Sequence, residues 1–123
     1  AKNMPMVAIH TTKYECIQSI LKTGIRPGGP DGGENEVLSQ AYYNGHPALQ
    51  AGGRKDAPIG VQWDIDQMIL NGFKAGITGQ GAISTTTTIR RKYICRIFNM
   101  PADGEPGPED IIWERRNDAE ESL

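Results

Sequence analysis

The order of apolar and polar positions along the chain predicts five short strands. Over residues 59–66, Ile, Val, Trp and Ile alternate with Gly, Gln and Asp, which is the period of a strand with one buried face. Residues 6–10 and 93–98 are apolar runs that stop at polar residues, as buried strands do. Residues 36–41 predict a further strand, and the apolar trio 111–113 predicts either an edge strand or a segment docked on the core.

One amphipathic helix is predicted directly after the first strand, over residues 12–23. Its apolar positions recur at three- and four-residue spacing and are Tyr14, Ile17, Ile20 and Leu21. Thr12 and Glu15 match a capping box, in which each side chain bonds a backbone N–H at the helix start. Gly24 stands where a left-handed C-terminal cap belongs. The helix is therefore expected to pack this apolar face on the sheet.

The remaining segments predict loops and one brief helix. Residues 26–35 contain glycines and prolines that prevent regular structure, and residues 42–55 are more typical of turns than of a long element. Asp66 is expected to cap a short helix that ends at Leu70, before an Asn-Gly pair. Residues 82–89 are rich in threonine and therefore favour β-structure.

Composition places the chain among small globular domains. With 123 residues, 37% hydrophobic, it is expected to form one domain over residues 1–123, with a core at about 7–98 and a C-terminal extension at 99–123. A net charge of −2 gives no overall attraction to RNA, which would need a local basic patch. Cys16 and Cys95 lack metal-binding spacing and are expected to be buried free thiols, with no metal site. No apolar run reaches the ~18 residues of a membrane span, so we expect a soluble, cytoplasmic protein with no membrane contact.

A series of short motifs is informative through its order along the chain. The motifs are His10-Thr11-Thr12, Gly24-Ile25, Gly52-Gly53-Arg54, Asp64-Ile65-Asp66, Asn71-Gly72-Phe73 and Gln80-Gly81-Ala82-Ile83-Ser84-Thr85. Over about residues 7–98, this order resembles the C-terminal lobe of the tRNA 2′-phosphotransferases, a branch of the ADP-ribosyltransferase fold. Each motif is weak by itself, and the serial order carries the resemblance.

The resemblance implies an α+β fold with an ADP-ribosyltransferase-like split β-sheet core, one main N-terminal helix and short helices. In that family an RNA 2′-phosphate attacks the ribose of NAD and expels nicotinamide, which requires donors aimed at phosphate oxygens and at the nicotinamide amide. Transferred to this sequence, the resemblance makes His10 and Arg54 the catalytic candidates. The residues that it places around NAD are His10, Thr11, Thr12, Ser39, Gln80, Gly81, Ala82 and Ser84.

The sequence departs from the family at positions that carry its chemistry. The family's Arg-x-x-Val-His-Leu-Ser segment corresponds to residues 33–39, so Gly33 replaces the arginine and Val37 replaces the second histidine. Thr11 replaces a glycine whose backbone approaches nicotinamide closely. The family's preceding lobe, which grips the RNA phosphate, has no counterpart before Val7. We therefore expect transfer activity to be weak or lost.

The candidate residues also have plain structural explanations. His10 fits a core histidine bonded to backbone as well as a ribose ligand, and Arg54 fits a solvated turn as well as a phosphate ligand. Asp64 and Asp66 are favoured as helix-cap and turn residues over metal ligands. The basic run 90–92 fits a solvated strand edge better than a nucleic-acid patch.

Two functions therefore remain open at the level of sequence. The first is a divergent 2′-phosphotransferase or ADP-ribosyltransferase-like module that binds NAD, ADP-ribose or a phosphorylated RNA end, and that is an NAD-dependent transferase only if it is active. The second is a degenerate, non-catalytic copy that serves as a structural or protein-interaction domain of a larger protein or assembly.

Overall fold

The computed structural model of the chain describes residues 6–28, 35–49 and 57–116, and within them two antiparallel sheets and two α-helices form an α+β fold. The four-stranded sheet consists, in spatial order, of β1 (Ile9–Thr12), β3 (Ile59–Trp63), β6 (Ile94–Asn99) and β7 (Ile111–Glu114). The three-stranded sheet consists, in spatial order, of β2 (Val37–Ser39), β5 (Ile83–Thr85) and β4 (Gly76–Ile77). The helices are α1 (Ile17–Thr23) and α2 (Ile65–Leu70). The prediction of a small α+β fold with one main helix is confirmed.

The two sheets meet where β1 lies beside β2. Ile9 donates its N–H to Gln40 O at 3.0 Å, and Gln40 donates its N–H to Ile9 O at 2.8 Å. Val7 adds a bond from its N–H to Ala41 O at 2.9 Å. The Ile9–Gln40 pair is an isolated bridge and not part of a longer ladder, so the core is split between two sheets as expected.

The main helix forms where the pattern predicts it, but it begins later. A 3₁₀ turn at Tyr14–Cys16 precedes α1. The predicted capping box is wrong: Thr12 ends β1, where it pairs with Ile59, and Lys13 begins the turn without a side-chain cap. Gly24 does end the helix as predicted, with φ at 81° and its N–H donated to Ile20 O at 2.7 Å.

The apolar face of α1 is buried in the hydrophobic core, with one exception to the prediction. Ile17 and Ile20 are buried, whereas Tyr14 is 67% exposed because the 3₁₀ turn rotates it away from the face of the α-helix. The residues that share the core with this face come from both sheets and the loops between them. They are Ala8, Ile25, Val37, Ala41, Ile59, Val61, Trp63, Met68, Ile83, Ile89, Tyr93, Ile94 and Ile97.

The second helix follows the strand with the clearest alternation. Ile59, Val61 and Trp63 are buried as predicted. Asp64, and not the predicted Asp66, caps α2, because the Asp64 carboxylate accepts the N–H of Gln67 at 3.0 Å. The structure thus supports the capping role for this pair of aspartates but places it two residues earlier.

Several element boundaries differ from the pattern. The first strand begins at Ile9, not at residue 6, and residues 86–88 form a bend and not a strand. β7 is an edge strand, which settles the alternative left open for residues 111–113. Of the loops predicted at residues 26–35 and 42–55, residues 29–34 and 50–55 lie outside the described residues.

Cys16 and Cys95 are both free thiols, as expected, and both are half-buried, not fully buried. Burial raises the pKa of the Cys95 thiol above its usual value, against a smaller opposing effect of Arg115. In the part of the chain that the structure describes, no helix has both the length and the apolar character needed to cross a membrane.

Replacing Ile20 with Ala tests the packing of α1. Ile20 is 6% exposed, so its truncation is expected to lower the free energy of unfolding by about 2–5 kcal/mol. The measurement is urea denaturation followed by circular dichroism. Leu70→Ala is the matched control, because Leu70 is 78% exposed on α2 and its loss should change stability by less than about 0.5 kcal/mol. Equal effects of the two substitutions would contradict the assigned helix face.

Candidate functional site

The predicted site lies where the backbone pairing between β1 and β2 stops, after the Ile9–Gln40 bridge. Residues two apart in a strand direct their backbone groups to the same side. Since Ile9 bonds Gln40 of β2, the N–H and C=O of Thr11 also point toward the side on which β2 lies. The ladder does not continue, and the ring of His10 instead reaches across to β2. We call the region between residues 10–12 and residues 36–38 the divergence.

His10 is held across the divergence by a backbone carbonyl. Its Nδ1 lies 3.2 Å from Leu38 O. A carbonyl oxygen can only accept, so this contact requires a proton on Nδ1. The residue is half-buried and is not sealed in the core. The backbone of β2 therefore orients the ring of the predicted catalytic histidine.

Ser39, predicted to contact NAD, instead faces the core. Its side chain is 3% exposed, and its hydroxyl accepts the indole N–H of Trp63 at 2.9 Å. Val37, two residues earlier on the same face of β2, is also 3% exposed. The intervening Leu38 points outward and is 42% exposed. The alternation of β2 thus directs the two family positions, 37 and 39, into packing and not toward the divergence.

Ser84 lies on β5, which pairs with β2 on the side away from β1. It pairs with Leu38 in the β2–β5 register, and its hydroxyl donates to a carboxylate oxygen of Glu36 at 3.0 Å. Glu36 is half-buried and immediately precedes β2. Sequence reasoning missed Glu36, although its position two residues before Leu38 places both on the same face of the strand.

Gln80, Gly81 and Ala82 form a turn that is organised by Thr78. The Thr78 hydroxyl accepts the N–H groups of Gln80 at 3.3 Å and Ala82 at 3.1 Å, and Thr78 O accepts the N–H of Gly81 at 2.9 Å. The turn connects β4 to β5, so β2 stands between it and β1 in the spatial order of the strands. The structure therefore does not bring the predicted Gln80–Gly81–Ala82 segment to the edge that carries His10.

Arg54 lies outside the described residues, as do Gly33, Gly52 and Gly53. Its convergence with His10 stays a prediction. In the described chain, the structure brings together His10, Thr11 and Thr12 on β1 with Leu38 on β2, and it places Ser84 one strand further away. No group of three or more His, Cys, Asp or Glu residues in the described ranges has metal-binding geometry.

A polar network covers the opposite face of the four-stranded sheet. His10 pairs with Val61, whereas Gln62 points to the other face, where its side-chain oxygen accepts from Arg96 Nε at 2.9 Å and from the Tyr43 hydroxyl at 3.3 Å. Arg96 also bonds Glu105 at 3.0 Å. Partial burial lowers the pKa of Arg96, but the hydrogen bonds to Glu105 and Tyr43 outweigh it and the pKa is raised, so the guanidinium stays charged. Tyr43 thus covers the side of the sheet away from His10.

Neither the protein-family models nor the curated proteins give a match to this chain.

Replacing Ser39 with Ala tests whether this hydroxyl has a structural role. The change leaves the buried Trp63 N–H without an acceptor, so we expect the free energy of unfolding to fall by about 1–3 kcal/mol. Ser84→Ala is the control, since it removes a half-buried hydroxyl whose partner is the carboxylate of Glu36. The measurement is chemical denaturation of the two variants and of Ser39→Ala combined with Trp63→Phe. If the Ser39 and Trp63 substitutions prove additive, the bond contributes nothing.

Proposed function

We propose that the chain is a divergent ADP-ribosyltransferase-like module that binds NAD or ADP-ribose weakly at the divergence, with transfer activity weak or lost. The observation that carries the proposal is the His10 imidazole, held by Leu38 O at the point where the two sheets part. The proposal also rests on the resemblance of the motif order to the tRNA 2′-phosphotransferases.

The groups of the divergence suit a ribose better than a whole dinucleotide. The His10 ring is held by Leu38 O between β1 and β2, and an imidazole can bond a ribose hydroxyl; the backbone of Thr11 is directed to the same side of β1. Ser39 does not add a hydroxyl, because that group is bonded to Trp63. The predicted phosphate ligand, Arg54, lies outside the described residues. Among the described residues few groups are directed at this region, which favours low affinity.

The same geometry argues against efficient transfer. NAD would supply an electrophilic ribose carbon when bound, and the transition state carries charge that the protein must stabilise. Val37 contributes an apolar group to the core in place of the family's second histidine. The hydrogen-bonding capacity of β2 is thus used for folding, which leaves little for an anionic acceptor.

The burial of Val37 and the Ser39–Trp63 bond also favour a second candidate function. Two positions that face the ligand in the family here stabilise the domain. This observation supports a non-catalytic copy that serves as a structural or protein-interaction domain. The two candidates differ in whether the native state binds NAD.

Thermal unfolding with millimolar NAD or ADP-ribose distinguishes the two functions. A ligand that binds only the native state at about five times its Kd stabilises it by about 1 kcal/mol, which corresponds to a rise of about 4 °C in the midpoint. We expect such a rise for the wild type and its loss in His10→Ala. The measurement is differential scanning fluorimetry over a ligand titration.

His46→Ala provides the matched control for the thermal shift. His46 stacks on Tyr42 with 4.4 Å between ring centroids and accepts the N–H of Ala48 at 2.9 Å, and it lies on a different loop. It should therefore keep the response to ligand. If neither NAD nor ADP-ribose raises the unfolding midpoint of the wild type, the ligand-binding proposal is wrong and the structural or protein-interaction function is favoured.

Transfer activity is expected to be negligible. With NAD and an RNA that carries an internal 2′-phosphate, the chain should release little phosphate, because the loss of one charge-stabilising donor typically costs about 10²–10³ in rate. Chromatography of labelled RNA measures the product over time. Multiple turnovers by the wild type that disappear in His10→Ala would show that catalysis has survived the departures at positions 33 and 37.

A further inference from the structure

A set of basic residues gathers at one end of the four-stranded sheet. Seven of the 13 lysines and arginines of the chain lie on three described segments, residues 22–26, 89–92 and 113–116. We call this surface the basic end. Its members are Lys22, Arg26, Arg90, Arg91, Lys92, Arg115 and Arg116, and all are exposed except Arg115, which is half-buried.

Backbone pairing joins the end of α1 to the segment before β6. Ile25 and Ile89 exchange two hydrogen bonds of 2.9 Å each. Gly24 packs so closely against this segment that an added Cβ would lie 3.1 Å from the Cα of Arg90. The cations at positions 22 and 26 are therefore neighbours of the basic run that begins at Arg90.

Side-chain contacts join the same run to the end of β7. The Arg115 guanidinium donates to Lys92 O at 2.7 Å, and the Arg91 guanidinium lies 5.6 Å from the ring centroid of Trp113. The N–H of Arg115 bonds Cys95 O at 2.9 Å, which continues the pairing of β7 with β6. These contacts hold like charges together, although their repulsion opposes the arrangement.

Few acidic groups lie among these charges in the part of the chain that the structure describes. Glu114 is the only acidic residue within the three segments, and Asp64 approaches Arg115 at 3.9 Å. The basic end thus concentrates seven positive charges in a chain whose net charge is −2. A local patch of this kind is what a phosphate-binding surface requires when the overall charge gives no attraction.

The basic end and the divergence lie at opposite ends of the four-stranded sheet. β6 begins at Ile94, which pairs with Trp63, and Trp63 donates its N–H to Ala8 O. Thr12 pairs with Ile59, and Ile59 pairs with Asn99, at the other end of the same strands. The strands are about five residues long, so the two ends are separated by roughly 15 Å. The basic end is therefore a separate surface from the candidate NAD site.

We propose that the basic end binds the phosphate backbone of a nucleic acid strand. Five of its seven cations are arginines, whose planar guanidinium groups bond phosphate oxygens in pairs. None of the exposed large hydrophobic side chains of the described chain belongs to its three segments, so it lacks the apolar contribution of a membrane-binding surface. The proposal does not depend on NAD binding at the divergence.

Fluorescence anisotropy with labelled single-stranded RNA of about 16 nucleotides tests this surface. The test variant is Arg90→Gln combined with Arg116→Gln, both at exposed positions. We expect its Kd at low salt to weaken about tenfold or more, and the slope of log K against log salt to fall by about 0.7 for each lost phosphate contact. The wild type should bind a DNA strand of the same sequence with similar affinity, because the backbone is the recognised group.

The matched control is Lys13→Gln combined with Lys74→Gln, which also removes two positive charges but at positions outside the basic end. Both lysines are exposed, and Lys13 lies beside the divergence. This control should retain binding, and both double variants should keep the wild-type circular dichroism and melting midpoint. Equal weakening in the two variants, no binding by the wild type, or a strong preference for RNA over DNA would overturn the proposal. So would retention of phosphatidylserine vesicles, but not of RNA, by the wild type.

Discussion

Two hydrogen bonds between Ile9 and Gln40 determine how the two sheets are arranged. Because they form an isolated bridge, β1 is tied to β2 at one end and released from it at the other. The release lets the His10 ring reach Leu38 O, a carbonyl that a continuous antiparallel ladder would direct to the backbone of β1. The candidate site is thus a consequence of incomplete strand pairing, and its position follows from one pair of residues.

Side-chain contacts on both faces of the four-stranded sheet stabilise the arrangement of two separate sheets. On one face, Ile17 and Ile20 of α1 pack with Val61 and Ile97. On the other face, Arg96 connects Gln62, Tyr43 and Glu105, and Phe98 is fully buried. Side chains therefore cover both faces of the larger sheet.

Local patterns predicted the elements well where a single period decided the outcome. The alternation of β3, the buried face of α1 and the glycine cap at position 24 all follow from neighbouring residues. Local patterns did not identify the helix caps correctly, since neither Thr12 nor Asp66 caps a helix in the structure. Thr12 is claimed by the ladder with Ile59, and Asp64 reaches the N–H of Gln67 because α2 begins one residue after it. Pairing with a distant strand therefore removed Thr12 as a cap, whereas the exact start of α2 decided between Asp64 and Asp66.

The candidate site was predictable at β1 but less so at β2. The apolar run before His10 placed this residue on a strand, although β1 continues past it to Thr12. The partner of Ser39, in contrast, is Trp63, 24 residues away in sequence. The residues next to Ser39 in sequence do not indicate that its hydroxyl accepts a hydrogen bond from the Trp63 indole.

The Ser39–Trp63 bond shows that the inward-facing groups of β2 serve the fold. A strand face that binds an anionic ligand must keep polar groups unsatisfied by the protein, which lowers the stability of the free domain. In this chain Val37 contributes buried apolar surface and Ser39 satisfies a buried indole N–H, so both positions stabilise the native state without a ligand. The Nδ1 of His10 is likewise directed to a backbone carbonyl. The side chains that stabilise this edge of the domain are committed to folding, so a ligand at this edge would have to be bound by other groups.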